Sequence, residues 1–206
     1  MSRRIFITGI GTDVGKTIVS AIVTEALHAD YWKPIQSGDI EGKDSDVVRG
    51  LLSNSNSIIH PEYISLKAFM SPHAAAALEK KEIKISDIVT PKTSNTLVVE
   101  GAGGLMVPIN DTELVVDLIS YLQADVILVS SIYLGSINHT LLSHELLKQR
   151  NCNVLGIVFN GPENKFSEEV ILNHTKYKCL GRIKKETKFT KELVAQYAAQ
   201  LEKELI

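Results

Sequence analysis

Nine residues near the amino end, Gly9-Ile10-Gly11-Thr12-Asp13-Val14-Gly15-Lys16-Thr17, narrow the choice of folds more than any other segment. A β-branched and aromatic run, Ile5-Phe6-Ile7-Thr8, precedes them, and residues 14–27 carry apolar side chains at helical spacing. A strand, a glycine-rich turn and a helix in that order form a phosphate-binding loop when the turn reads G-x-x-x-x-G-K-[ST]. Here five residues separate Gly9 from Gly15, so the loop is a variant of that pattern. The chemistry survives the insertion. Gly9 and Gly15 let backbone N–H groups turn inward around Asp13 and Val14, and the helix amino end adds partial positive charge. Lys16 is then set to reach the β- and γ-phosphates of a nucleotide, and the Thr17 hydroxyl to hold Mg²⁺.

The rest of the chain alternates in kind. Short apolar runs at 31–33, 96–100, 125–130, 154–160 and 179–183 predict strands, and the pattern predicts helices over 44–52, 72–81, 113–122, 137–148, 167–174 and 190–205. The strands are continuous apolar runs, which signals a sheet covered on both faces and hence parallel pairing. Strand and helix alternate to the end. The expectation is one α/β domain over residues 1–206, doubly wound, with a mostly parallel sheet flanked by helices, of the phosphate-loop NTPase type. The polar run 53–57 reads as a surface loop.

Composition removes several classes. Hydrophobic residues at 44% and charged residues at 22% exclude wholesale disorder. Twenty-two basic against 24 acidic residues give a net charge of −2, without the basic excess of a non-specific nucleic-acid binder. No run approaches the roughly 20 apolar residues of a membrane span, and the apolar stretch at the amino end is too short for a signal-peptide core. Cys152 and Cys179 make no disulfide framework and read as buried free thiols. These features together predict a cytoplasmic protein.

In an open α/β sheet, ligands bind beyond the carboxyl ends of the strands. The polar residues at those ends are therefore the candidates. Lys33 follows Tyr31-Trp32 and precedes Pro34, a position suited to neutralising charge on a transferring phosphoryl group. Glu100 ends an apolar strand, where a carboxylate needs a partner: Mg²⁺ would serve, and so would the amides of the following glycines. Asp46 begins a helix, either as an acid complementing the helix dipole or as a second magnesium carboxylate. For His73 and His139 the sequence leaves open packing or capping and a functional role.

Several further motifs follow the loop in order: Lys33-Pro34 with Ser37-Gly38, Ser45-Asp46, Ser71-Pro72-His73, Glu100-Gly101-Ala102-Gly103-Gly104, and Leu134-Gly135-Ser136-Ile137-Asn138-His139. With the loop they resemble the dethiobiotin synthetase family, over most of the chain. The resemblance implies ATP-dependent ring closure of 7,8-diaminopelargonic acid with CO₂ or bicarbonate, through a carbamate and a carbamic–phosphoric anhydride. It implies Mg²⁺ held by Thr17, Asp46 and Glu100, and Lys33, Lys16 and Thr12 as catalytic residues. It implies nucleotide contacts from Gly9, Asp13, Val14, Gly15, Lys16, Thr17 and Asn160, the last in an adenine pocket. Substrate contacts are implied for Ser37 and Gly103, and for Gly135, Ser136, Ile137 and Asn138 of a neighbouring subunit, so that a homodimer shares its sites. The alternative class is an ATPase switch of the partitioning or positioning type, acting through a protein partner. Such switches usually carry an additional lysine early in the loop, where this chain has Gly9-Ile10-Gly11-Thr12.

Overall fold

A computed structural model describes residues 2–205. In chain order the elements are β1 (Arg4–Gly9), α1 (Lys16–Ala26), β2 (Asp30–Trp32), β3 (Ile35–Ser37), α2 (Asp44–Leu51), β4 (Ile59–His60), β5 (Ile64–Leu66) and α3 (Pro72–Leu78). There follow β6 (Leu97–Gly104), α4 (Val115–Leu122), β7 (Asp125–Ser131), α5 (Ser136–Gln149), β8 (Val154–Asn160), α6 (Lys165–Thr175), β9 (Cys179–Ile183) and α7 (Lys191–Leu205). Seven strands form one sheet in the order β4-β2-β6-β1-β7-β8-β9, every neighbouring pair parallel. β3 and β5 make a separate parallel pair.

The continuous apolar strands find a core on each face, as their pattern requires. Ile5 and Ile7 of β1, Tyr31 of β2 and Val98 of β6 pack with α1, α2 and α7 on one side. Phe6, Trp32, Leu97 and Val99, the alternate residues of the same strands, pack with α3, α4, α5 and α6 on the other. A side chain's face therefore follows from its parity along the strand. α1, which follows β1, and α4, which follows β6, lie on opposite faces although β1 and β6 are neighbours. Connections that part in this way open a crevice at the strands' carboxyl ends.

Several elements depart from the sequence pattern. β3, β4 and β5 have only two or three residues each, too few for a periodicity to register. β2 spans Asp30–Trp32, and Lys33 lies just beyond it. β6 runs on through Gly104, although Gly103 turns into the left-handed region at φ 66° and the register against β1 shifts there. The cysteines also differ from expectation: Cys152 is half-buried and Cys179 exposed, because Cys179 opens the edge strand β9, which has no neighbour on its outer side.

The polar run 53–57 is a surface loop, and it is anchored. Glu25, buried near the carboxyl end of α1, accepts hydrogen bonds from the Ser53 amide (3.0 Å), the Ser53 hydroxyl and Asn54 Nδ2 (2.8 Å). Asn54 Oδ1 in turn accepts the amides of Asn56 and Ser57 at 3.0 Å, a local turn. Burial works against the charge on Glu25, but the Ser53 and Asn54 donors outweigh it and hold the carboxyl below its ordinary value of 4.5. Glu25→Gln should therefore cost about 1–2 kcal/mol in urea unfolding at neutral pH. A group whose folded pKa is depressed contributes fully above its unfolded pKa and loses that contribution as pH falls through its folded value. The gap between wild type and Glu25→Gln should accordingly narrow below pH 4.5. A gap constant from neutral to acid pH would refute this assignment.

Candidate active site

The crevice between β1 and β6 is a cleft of about 640 Å³. The phosphate loop forms its floor through Thr12, Asp13, Gly15, Lys16 and Thr17, and Glu100 and Gly103 of β6 one wall. Lys33, Ser37 and Asp44 close another side. Gly15 caps α1 in the left-handed region at φ 93°, and a β-carbon there would stand 2.2 Å from Asn160 Nδ2. That close approach is why the position needs glycine. Asn160, at the end of β8, donates from Nδ2 to the Val14 carbonyl at 2.9 Å, tying the back of the loop to the sheet. Gly9 likewise has no room for a β-carbon, which would meet Val14 Cγ2 at 2.3 Å.

The charged centre is assembled by strand parity. Tyr31 is opposite Val98, and Glu100 is opposite Ile7. Lys33 and Glu100 continue the same rows, two residues on, and so both project on the α1 side. Lys33 Nζ donates to Glu100 Oε1 at 3.0 Å and also to Asp44 Oδ2. Thr17 Oγ1 lies 2.9 Å from Glu100 Oε1 and 2.9 Å from Asp44 Oδ1. Tyr31 donates its hydroxyl to Glu100 Oε2 at 2.8 Å. Lys16 Nζ donates to the Gly11 carbonyl at 2.8 Å, inside the loop.

Burial sets the protonation of these groups. It pushes Lys16 down to about 8, against the attraction of Glu100. Burial also opposes the charge on Lys33, but Glu100 and Asp44 overcome it and raise that ammonium's pKa. Asp44 is held below the usual carboxylate range, because Lys33 outweighs its own desolvation. Burial and the Glu100 charge hold Tyr31 well above its ordinary value, so it remains a hydroxyl donor.

Asp46 is a correction. Its carboxylate is exposed and pairs with Arg49, and the carboxylate beside Thr17 belongs to Asp44. On α2, Asp44 shares a face with the buried Val48 and Leu51, while Asp46 and Arg49 lie on the outer face. Two residues advance a helix by about 200°, so both aspartates cannot face the cleft. The apolar spacing at 48 and 51 was the signal that pointed to Asp44.

Of the other predicted residues, Thr12, Asp13, Lys16, Thr17, Lys33, Ser37, Glu100 and Gly103 do come together in the cleft. Among the described residues, the Ser37 hydroxyl is buried there without a hydrogen-bond partner. Gly9, Val14 and Asn160 support the loop from behind. Gly135, Ser136, Ile137 and Asn138 open α5 beyond the carboxyl end of β7 and are not among the residues lining this chain's cleft. The sequence reading missed the apolar wall of Phe69, Met70 and Val107, whose residues lie in irregular segments without periodicity.

Comparison with known proteins bears on this geometry. A family model described as an AAA domain matches residues 3–193. The ATP-dependent dethiobiotin synthetase BioD of Cytophaga hutchinsonii is 56% identical over 97% of both chains. That of Christiangramia forsetii is 52% identical, covering 100% of this chain and 99% of the relative. The chain belongs to the ATP-dependent dethiobiotin synthetase family. Among solved structures, the cell division ATPase MinD of Pyrococcus furiosus aligns with TM-score 0.61 over 98% of this chain and 99% of that one, at 15% identity. MinD of Pyrococcus horikoshii, solved with Mg-ADP, aligns at the same TM-score with 18% identity, over 100% and 96%. At such identities the likeness is one of fold, and it establishes the doubly wound phosphate-loop architecture.

The two aspartates can be separated by experiment. Asp44→Asn should reduce the gain in nucleotide affinity conferred by Mg²⁺ by about tenfold or more. Asp46→Asn should leave it within about twofold, since an exposed pair with Arg49 contributes little. Nucleotide titrations in Mg²⁺ and in EDTA read both, and the reverse ranking would return the role to Asp46.

Proposed function

We propose that this chain closes the cyclic urea of dethiobiotin from 7,8-diaminopelargonic acid, CO₂ and ATP, as its family membership and cleft chemistry support. One amine of the substrate adds to CO₂, forming a C–N bond and losing a proton to give a carbamate. The γ-phosphoryl group passes from ATP to a carbamate oxygen, producing ADP and a carbamic–phosphoric anhydride. The second amine then attacks the carbonyl carbon and loses a proton, phosphate departs with the C–O bond's electrons, and the ring closes. Phosphorylation converts a poor leaving oxygen into a good one, so the protein's task is alignment and charge neutralisation.

The observation that carries this reading is the second lysine. Lys33 brings a buried ammonium from a different strand to within reach of the phosphate loop's own Thr17, through Glu100 and Asp44. Lys16 and the loop amides grip the β- and γ-phosphates, Lys33 neutralises the carbamate and the phosphoryl group in flight, and Thr12 donates a hydrogen bond to them. The donor set suits a hard divalent cation: a hydroxyl and two carboxylates, all oxygen, with Thr17 Oγ1 2.9 Å from an oxygen of each carboxylate. Thr17, Asp44 and Glu100 would hold Mg²⁺. When bound, Mg²⁺ supplies a Lewis acid that offsets charge on the β- and γ-phosphates.

The orphaned Ser37 hydroxyl and Gly103 are assigned to the reacting end of the substrate, and Phe69, Met70 and Val107 to its aliphatic chain. Asn160, beside the loop, is assigned to the adenine side. The substrate carboxylate is assigned to the amino end of α5, residues 135–138, of the second subunit of a homodimer. Those residues stand outside their own chain's cleft, and Leu134 beside them is fully exposed.

Phosphate release from ATP and Mg²⁺ tests the function directly. It should require both the diamine and bicarbonate, with dethiobiotin appearing in step. Slow release indifferent to both would favour a nucleotide switch. Lys33→Ala should lower kcat by at least about a hundredfold while leaving ATP binding near normal, and an effect confined to ATP affinity would remove it from the transition state. Asn138→Asp adds a carboxylate at the exposed start of α5, where the helix itself tolerates it. It should raise KM for the diamine several-fold, roughly as one unfavourable charge contact would, and leave KM for ATP alone. An unchanged diamine KM would detach that segment from the substrate.

A further inference from the structure

Among the described residues, Glu100 has three side-chain hydrogen-bond donors, and they are not equivalent. Thr17 and Lys33 both line the cleft, and both meet the same oxygen, Oε1. Tyr31 does neither. It is fully buried under the α1 face of the sheet, is not among the cleft-lining residues, and donates to Oε2 from behind at 2.8 Å. Thr17 and Lys33 are the groups that incoming phosphates and cations would recruit, so their hold on Glu100 changes with loading. Tyr31 is anchored in β2, whose register against β6 sets it opposite Val98, two residues before Glu100. Its partner cannot change without breaking that register.

We propose that Tyr31 is a positioning residue for the cation site, pinning Glu100 Oε2 so that Oε1 alone is presented to Thr17, Lys33 and a divalent cation. The proposal rests on the reading that Thr17, Asp44 and Glu100 hold that cation. Its physics is that of an outer partner to a ligating carboxylate. A buried carboxylate with one oxygen bound to a fixed hydroxyl has a single orientation, whereas with that oxygen unpartnered it rotates toward any available donor. The hydroxyl has no other visible purpose: the ring is satisfied by its apolar neighbours Ile7, Val98 and α1, which a phenylalanine would meet equally well.

The test uses the full-length protein and ADP as probe. Affinity for ADP is measured by calorimetry in saturating Mg²⁺ and in EDTA, and the ratio of the two is the metal's contribution. Tyr31→Phe should leave the EDTA affinity within about twofold and reduce the ratio about tenfold. Melting in EDTA verifies that the variant is folded, and Tyr31→Met removes the hydroxyl by a second route should phenylalanine fail to fold. If affinity falls equally with and without Mg²⁺, Tyr31 merely supports the loop and the proposal is overturned. Glu100→Gln, run alongside, separates the two levels of the argument. If it collapses the ratio while Tyr31→Phe does not, the positioning role alone fails. If it leaves the ratio intact, the cation reading fails and the proposal with it.

Discussion

The site is organised around a buried ammonium. Lys33 holds two carboxylates, Glu100 from the neighbouring strand and Asp44 from the start of α2, and both also reach Thr17 of the phosphate loop. Removing an ion from water costs several kcal/mol even after relaxation, so such a group persists only where its partners are close and themselves well bonded. Here every partner is. Lys33 and Lys16 together match the charge of Glu100 and Asp44, so incoming phosphates would bring negative charge that a hard divalent cation would offset.

This charge arrangement depends on the sheet. The crevice exists because the connections after β1 and β6 leave to opposite faces. Loop and carboxylate therefore confront each other across adjacent strands, and strand parity does the rest. Tyr31, Lys33, Val98 and Glu100 lie on one face because side chains alternate, and parallel register sets how far apart they fall. A slip of one residue in the β2–β6 pairing would send Lys33 away from Glu100, and the apolar residues flanking them into the wrong layer. The core that stabilises the sheet is thus also what aligns the site.

Much of this was legible in the residues. The continuous apolar strands implied a parallel, doubly covered sheet, and the glycine-rich turn ending in Gly15-Lys16-Thr17 implied its ligand-binding edge. Lys33 and Glu100 stood out because charged residues seldom end buried strands without a partner. The failures are equally physical. β3, β4 and β5 are too short for any period to be read. Cys179 looked buried by its apolar neighbours, yet its strand is the sheet's last, and edge position is a property of topology.

Asp44 and Asp46 mark the boundary between the two kinds of information. The chain's own pattern of apolar runs, glycines and chemically costly charges is local, and local pattern was enough for the fold class, the phosphate loop and the identity of the charged strand ends. Which of two aspartates meets Thr17, and that a tyrosine in the core grips the far oxygen of Glu100, depend on helix rotation and strand register. Those are set by packing between segments dozens of residues apart, where a rotation of one helix by half a turn exchanges a buried carboxylate for an exposed one. Only the assembled sheet and the helices against it make that choice.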